Sequence, residues 1–177
     1  MKRIAKFEKV SFEQFKKDWL KSNPTTKTKW TDEELMELYD NITLPKRSTA
    51  GSAGYDFIAP TDLFIPSPSA VVIPTGIRCK IEEGWFLDLN PRSGHGFKFG
   101  MHLANTRGII DSDYYNADNE GHIMVKLVND CTTLTENVIT VEKNNAFCQG
   151  IFTIYGITED DEATAERTGG FGSTDKK

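Results

Sequence analysis

No apolar run in the 177 residues approaches the ~18 that a helix needs to cross a membrane. Cysteine is scarce. Cys79, Cys131 and Cys148 are odd in number and widely spaced, which excludes a disulfide framework and the paired spacing of a zinc site; they are read as reduced and mostly buried. Excess positive charge is missing too. A formal net charge of -5 argues against a protein that coats duplex nucleic acid, because that affinity comes from neutralised phosphates and needs a basic face. A small anionic ligand held by one or two local arginines stays open. The opening MKRIAK has the basic start of a secretory leader, but FEKVSFEQFKKDW follows, with charges where about 7–15 apolar residues are required. The expectation is a cytoplasmic protein without a membrane or nucleic-acid partner.

What is present is globular. A composition of 38% hydrophobic and 27% charged residues, with 11 Phe available for a core, excludes disorder of the whole chain. The length fits one domain able to bury roughly two thirds of its unfolded surface. Residues 1–177 are therefore read as a single domain, with a helical insertion over about 11–41, a β body over 42–164 and a C-terminal arm over 165–177.

The insertion announces itself by caps. After a short strand at Arg3–Val10, Ser11 and Gln14 form a capping-box pattern stapled by Val10 and Phe15, predicting a helix to about Leu20. Thr31 and Glu34 repeat the pattern, with Trp30 and Leu35 as staple, ahead of Leu35, Leu38, Tyr39 and Ile42 on one face. From about Leu44 the chain changes to short alternating runs such as GIRCKI, WFLDL, HIMVKLV, NVITV and IFTIYGI, broken by PSPS, PTG, EEGW and NPRSGHG. That pattern predicts an all-β body, a sandwich, jelly roll or barrel rather than a doubly wound sheet.

Some short stretches use residues that β packing does not need. In SAGYDF, Asp56 follows a tight turn. PRSG makes an anion cradle, with the planar fork of Arg92, the hydroxyl of Ser93 and the unobstructed amide of Gly94. In NTRGIIDSDYYN, Ile109 and Ile110 run into Asp111, whose partial desolvation would raise its pKa and suit it to take a proton from water. Asn105 and Gly108 before it predict a tight hairpin whose backbone can approach a flat ligand. AFCQG places Gln149 in an apolar strand. The closing ERTGGFGSTDKK combines Arg167, a glycine pair, Phe171 and the hydroxyls of Ser173 and Thr174, a composition suited to a strap that closes over a ring and a polyphosphate.

In that order these stretches resemble the five motifs of the trimeric dUTP pyrophosphatases (dUTPases), over about residues 42–174. The resemblance implies a distorted jelly-roll β-barrel, a homotrimer with sites assembled from all three chains, and hydrolysis of dUTP to dUMP and diphosphate, which limits uracil incorporation into DNA. It implies that Asp111 is the general base for in-line attack on the α-phosphorus. Asn105, Gly108, Ile109 and Ile110 would read uracil through the backbone, Tyr114 would lie against the deoxyribose and exclude a 2′-hydroxyl, and Met124 would add a pocket contact. Arg92, Ser93, Gly94 and Gln149 would hold phosphate oxygens. Arg167 would reach the terminal phosphate, Phe171 would cover uracil, and Gly172, Ser173 and Thr174 would complete the phosphate contacts from an arm that crosses to a neighbour. Asp56 looks like structural support. Mg²⁺ would arrive on the triphosphate, without a side-chain cage.

The chain also departs from the family pattern. Ala146 stands where an arginine is usual, the loop in DYYNADNEGH after Tyr114 is longer, the spacing after Arg167 is shorter, and the insertion lies outside the family core. Such decoration is similar to that of phage-type members, which would place the protein in a host cytoplasm. The insertion is expected to pack on the trimer surface or recruit a protein partner. A dCTP deaminase on the same fold would need a carboxylate beside the exocyclic nitrogen of its base, whereas Asp111 stands with a uracil-reading turn. A dUTP-responsive regulatory protein is a different class that the insertion keeps open.

Overall fold

Alternation of apolar residues builds the body, because successive side chains of a strand face opposite ways and one face must leave water. The computed structural model describes residues 2–22, 30–131, 138–165, 167 and 169. In chain order the strands are β1 (Ala5–Lys9), β2 (Lys46–Arg47), β3 (Tyr55–Ile58), β4 (Leu63–Pro66), β5 (Ser69–Pro74), β6 (Ile77–Ile81), β7 (Trp85–Pro91), β8 (His102–Leu103), β9 (Gly108–Ile110), β10 (Met124–Asn129), β11 (Val138–Val141) and β12 (Ala146–Ile154). Helices α1 (Phe12–Ser22) and α2 (Asp32–Asp40) form the insertion, α3 (Ser93–Phe99) follows β7, and a 3₁₀ turn spans Ser112–Asn116. No helix among the described residues is long and apolar enough to cross a membrane.

All ladders are antiparallel. A five-stranded sheet runs β2-β3-β12-β7-β9, a three-stranded sheet runs β5-β10-β8, and β1-β6 and β4-β11 are separate pairs. Their inward residues meet in one core around Phe57, Ile65, Ile73, Leu87, Leu103, Leu127 and Phe147. Two thiols belong to it, both free: burial pushes the Cys79 thiol up to about 12 and Cys148 higher still. The run expected as IFTIYGI is shifted. β12 begins back at Ala146 and ends at Ile154, and Tyr155 and Ile157 lie exposed beyond it.

A satellite core of Val10, Phe15, Trp19, Leu35 and Leu38 holds the insertion together. The capping box expected at Thr31 and Glu34 is complete. At Ser11 only half of it forms. Gln14 N–H donates to Ser11 Oγ at 3.2 Å, but the Gln14 side chain turns to Asp18, and the Ser11 N–H is taken instead by Glu120, at 2.7 Å. The insertion docks on the body at Gly76, which has φ +70, donates its N–H to His122 and sits where a Cβ would lie 2.2 Å from Ile42 Cδ1. Only glycine satisfies both demands.

Candidate active site

The five-stranded sheet collects four of the motif stretches. In register, Gln149 of β12 lies between Asp56 of β3 and Asn90 of β7, and Pro91 leads directly to Arg92. On the other side of β7, Gly108 pairs with Leu89 and Ile110 with Leu87. Residues far apart in the chain thus reach one sheet through strand pairing alone.

The cradle forms where β7 hands over to α3. Arg92 is the N-cap residue and accepts the amides of His95 and Gly96, leaving the amides of Ser93 and Gly94 in the first turn, where helix geometry supplies no internal acceptor. Arg92 Nε lies 3.3 Å from Asp56 Oδ1, Ser48 donates to the other Asp56 oxygen at 2.7 Å, and Gln149 donates to Pro91 O at 3.3 Å. A concavity of about 380 Å³ opens here, lined by Arg92, Ser93, Gly94, His95, Lys98 and Phe99. Burial, with Arg92 and Lys98 beside it, holds the His95 imidazole below its ordinary pKa, so the positive charge of the cradle rests on the arginine and lysine.

The turn before Asp111 is shaped differently from the expected hairpin. β8 pairs with β10 and β9 pairs with β7, so residues 104–107 link two sheets instead of closing one ladder. Thr106 sits at φ +63, a left-handed conformation that a β-branched residue adopts only under constraint. A Cβ at Gly108 would stand 3.0 Å from Leu89 Cβ, so sheet packing, before any ligand, favours the glycine. Arg107, which the motif reading left without a role, clamps the turn by a two-pronged ion pair to Asp88 of β7, with Nε 3.1 Å from Oδ1. The available signal for that partner was the lone acid in the apolar run WFLDL; Asp88 pairs opposite Ile109 on the outward face of the sheet and is nonetheless buried there.

Asp111 is less buried than its aliphatic neighbours imply. Along β9 the side chains alternate, so Gly108 and Ile110 face in and Ile109 faces out, 57% exposed. The Asp111 side chain is 51% exposed and accepts Arg167 Nη1 at 2.9 Å, while Asp113 accepts the same nitrogen at 3.1 Å. The expected desolvation of Asp111 is therefore replaced by an ion pair. Burial opposes the charge on Arg167, but the two carboxylates raise its pKa on balance. Its guanidinium also lies 5.1 Å from the Tyr114 ring centroid.

Asn105, Gly108 and Met124 line a second, larger cavity of about 840 Å³. Tyr114 does not line it; the residue is buried, donates its hydroxyl to His122 O at 2.9 Å and has its pKa raised by burial, and Asn119, which does line the cavity, donates to that hydroxyl. Gln14, Lys17 and Asp18 of α1 line the same cavity, as do Asp118 and Asn119 of the long loop. The insertion, expected to pack on the trimer surface or recruit a partner, thus turns one face to this cavity. Ala146 is a buried strand residue beside Ile58, with no charge in place of the usual arginine. The cavity and the cradle share no lining residue. The expected contacts of Phe171, Gly172, Ser173 and Thr174 lie outside the described residues.

Comparison with known proteins bears on this surface. A family model described as dUTPase matches residues 40–175, so β1, α1 and nearly all of α2 fall outside it. The deoxyuridine 5′-triphosphate nucleotidohydrolase of Lactococcus lactis is 39% identical over 146 residues, covering 80% of this chain and 95% of that protein. The crystal structure of dUTPase from Streptococcus mutans superposes with a TM-score of 0.60 at 32% identity, covering 86% of this chain and 98% of that one. A point mutant of the dUTPase from phage phi11 of S. aureus, described with a coordinated structural Mg(II) ion, has a TM-score of 0.55 at 18% identity, covering 71% of this chain and 92% of that one.

Proposed function

The chain belongs to the dUTPase family, and from that premise we propose that it hydrolyses dUTP, taken as its Mg²⁺ complex, to dUMP and diphosphate. The observation that carries this reading is the Asn105–Ile110 turn, which lines the cavity and leads directly into Asp111. A flat base entering the cavity meets backbone N–H and C=O groups held in place by the Asp88–Arg107 ion pair. A pyrimidine whose edge carries the wrong donors leaves buried groups unpaired, which costs on the order of 10⁴-fold, whereas an added methyl is refused by shape alone.

In this reading the Asp111 carboxylate takes a proton from a water whose oxygen bonds to the α-phosphorus, in line with the departing diphosphate oxygen. The α-phosphorus–oxygen bond to the β-phosphate breaks, and diphosphate leaves. Mg²⁺ bound to the triphosphate would supply charge neutralisation for that leaving group. Among the described residues no three acidic, imidazole or thiol groups converge as a cage. Arg92 and the first amides of α3 take phosphate oxygens, with Asp56 and Gln149 holding the cradle in shape. Arg167 exchanges Asp111 for phosphate when nucleotide enters, leaving the base free.

Because the cavity and the cradle are separate on one chain, a complete site requires a homotrimer of jelly-roll subunits in which the cradle of one subunit faces the cavity of another. Ile109, Ile154, Tyr155 and Ile157, all exposed here, supply apolar surface for such contacts. The test is diphosphate release from dUTP, dTTP, dCTP and UTP with magnesium. Release from dUTP alone is expected; ammonia release from dCTP, or no turnover of dUTP, refutes the reading.

A further inference from the structure

The insertion and the long loop, two departures from the family pattern, form one unit. Glu120 of the loop accepts both the N–H and the hydroxyl of Ser11, at 2.7 and 2.6 Å, and so caps α1. Two residues further on, His122 is fully buried. Its Nε2 accepts the Gly76 N–H at 2.8 Å, which leaves the ring proton on Nδ1, and Nδ1 donates to Asp18 Oδ2 at 2.6 Å. Gln14 Nε2 donates to the same oxygen at 2.7 Å. The backbone carbonyl of His122 takes the Tyr114 hydroxyl, and Asn119 Nδ2 donates to that hydroxyl at 2.7 Å. Met124, at the start of β10, comes next on the cavity wall.

From this chain of contacts we propose that α1 is a wall of the nucleoside pocket and that Asp18 is a positioning residue for Tyr114 and Met124. Asp18 never touches the reacting atoms. It holds one tautomer and one orientation of His122, and His122 holds the peptide that seats the Tyr114 ring. The inference rests on the reading of the cavity as the nucleoside site. It assigns selectivity for the sugar in part to a residue outside the matched dUTPase region, reached across 104 residues of sequence.

The experiment compares Asp18→Ala, Asp18→Asn and the outer-face control Lys16→Ala in the full chain. It reads KM and kcat for dUTP and UTP, affinity for the non-hydrolysable α,β-imido analogue of dUTP, and unfolding midpoint. Asp18→Ala is expected to raise KM for dUTP and weaken the analogue by about tenfold, the loss of one charge-assisted hydrogen bond, with kcat within about twofold. It is also expected to narrow the preference for dUTP over UTP. Asp18→Asn, which keeps an acceptor oxygen for Nδ1–H, restores most of both, and Lys16→Ala changes neither. Should Asp18→Ala fail to fold, Asp18→Asn still decides through analogue affinity and UTP preference relative to wild type, where a small but measurable loss of both is expected. Unchanged KM and sugar preference in the folded variants overturn the inference, as does a fall in kcat alone. A wild-type protein that does not turn over dUTP overturns the functional reading instead.

Discussion

The two concavities of this molecule are built on opposite plans. The cavity beside Asn105, Gly108 and Met124 is backed by buried groups, with His122 fully enclosed, Tyr114 nearly so, and the turn clamped through Asp88. The cradle stands on α3, none of whose residues is buried and whose Phe97 is 96% exposed. Shape selection needs walls that do not yield, and a single chain supplies them. Charge on a triphosphate needs only donors that reach it, so on the proposed reading this half can stay open to substrate and to a neighbouring chain. The difference separates selectivity from affinity, and substitutions on the two sides should behave differently.

The largest effect is expected at Asp111, the base of the proposed mechanism. Asp111→Asn should lower kcat by about 10³-fold or more while dUTP binding by calorimetry stays within a few-fold; undiminished turnover removes Asp111 from the chemistry. Next is Arg92→Ala, expected to raise KM by roughly 10- to 100-fold with the ranking of dUTP over dCTP and dTTP unchanged. A loss of base discrimination there breaks the division of labour. Gly108→Ala brings a methyl to 3.0 Å from Leu89 Cβ. It should destabilise the fold by about 1–3 kcal/mol, read by urea unfolding, and erode base selectivity rather than phosphate affinity.

The smallest effect is a pH dependence. Burial alone raises the Asp18 carboxyl, but the bonds from His122 and Gln14 carry it below its ordinary value. Its contribution to stability is therefore present above about pH 3.9, the unfolded value, and is lost as pH falls through the lower folded one. Urea midpoints of wild type and Asp18→Asn should differ at pH 6 and converge in strong acid; a gap that persists there assigns the difference to packing.

Much of this was legible along the chain. Caps at Ser11 and Thr31 located both helices, alternation located the strands, and the runs around Arg92, Asp111 and Gln149 marked the sheet that carries them. What sequence periodicity cannot supply is a partner. Nothing local pairs Asp18 with His122 or replaces the second half of the Ser11 capping box with Glu120, because those contacts exist only once the loop and α1 are packed. The exposure of Asp111 was misjudged for a related reason: apolar neighbours in sequence bury a strand residue only if they face the same side, and Ile109 faces out.

Whether the cavity of one chain is completed by the cradle of another is open to one direct measurement. Cells expressing Arg92→Ala and Asp111→Asn chains together would yield mixed trimers, and their diphosphate release from dUTP would be compared with that of each variant alone. Activity well above the sum of the two is expected, because some sites then draw an intact Asp111 and an intact Arg92 from different chains. Activity no greater than that sum would mean that both residues must come from the same chain, and would contradict the account.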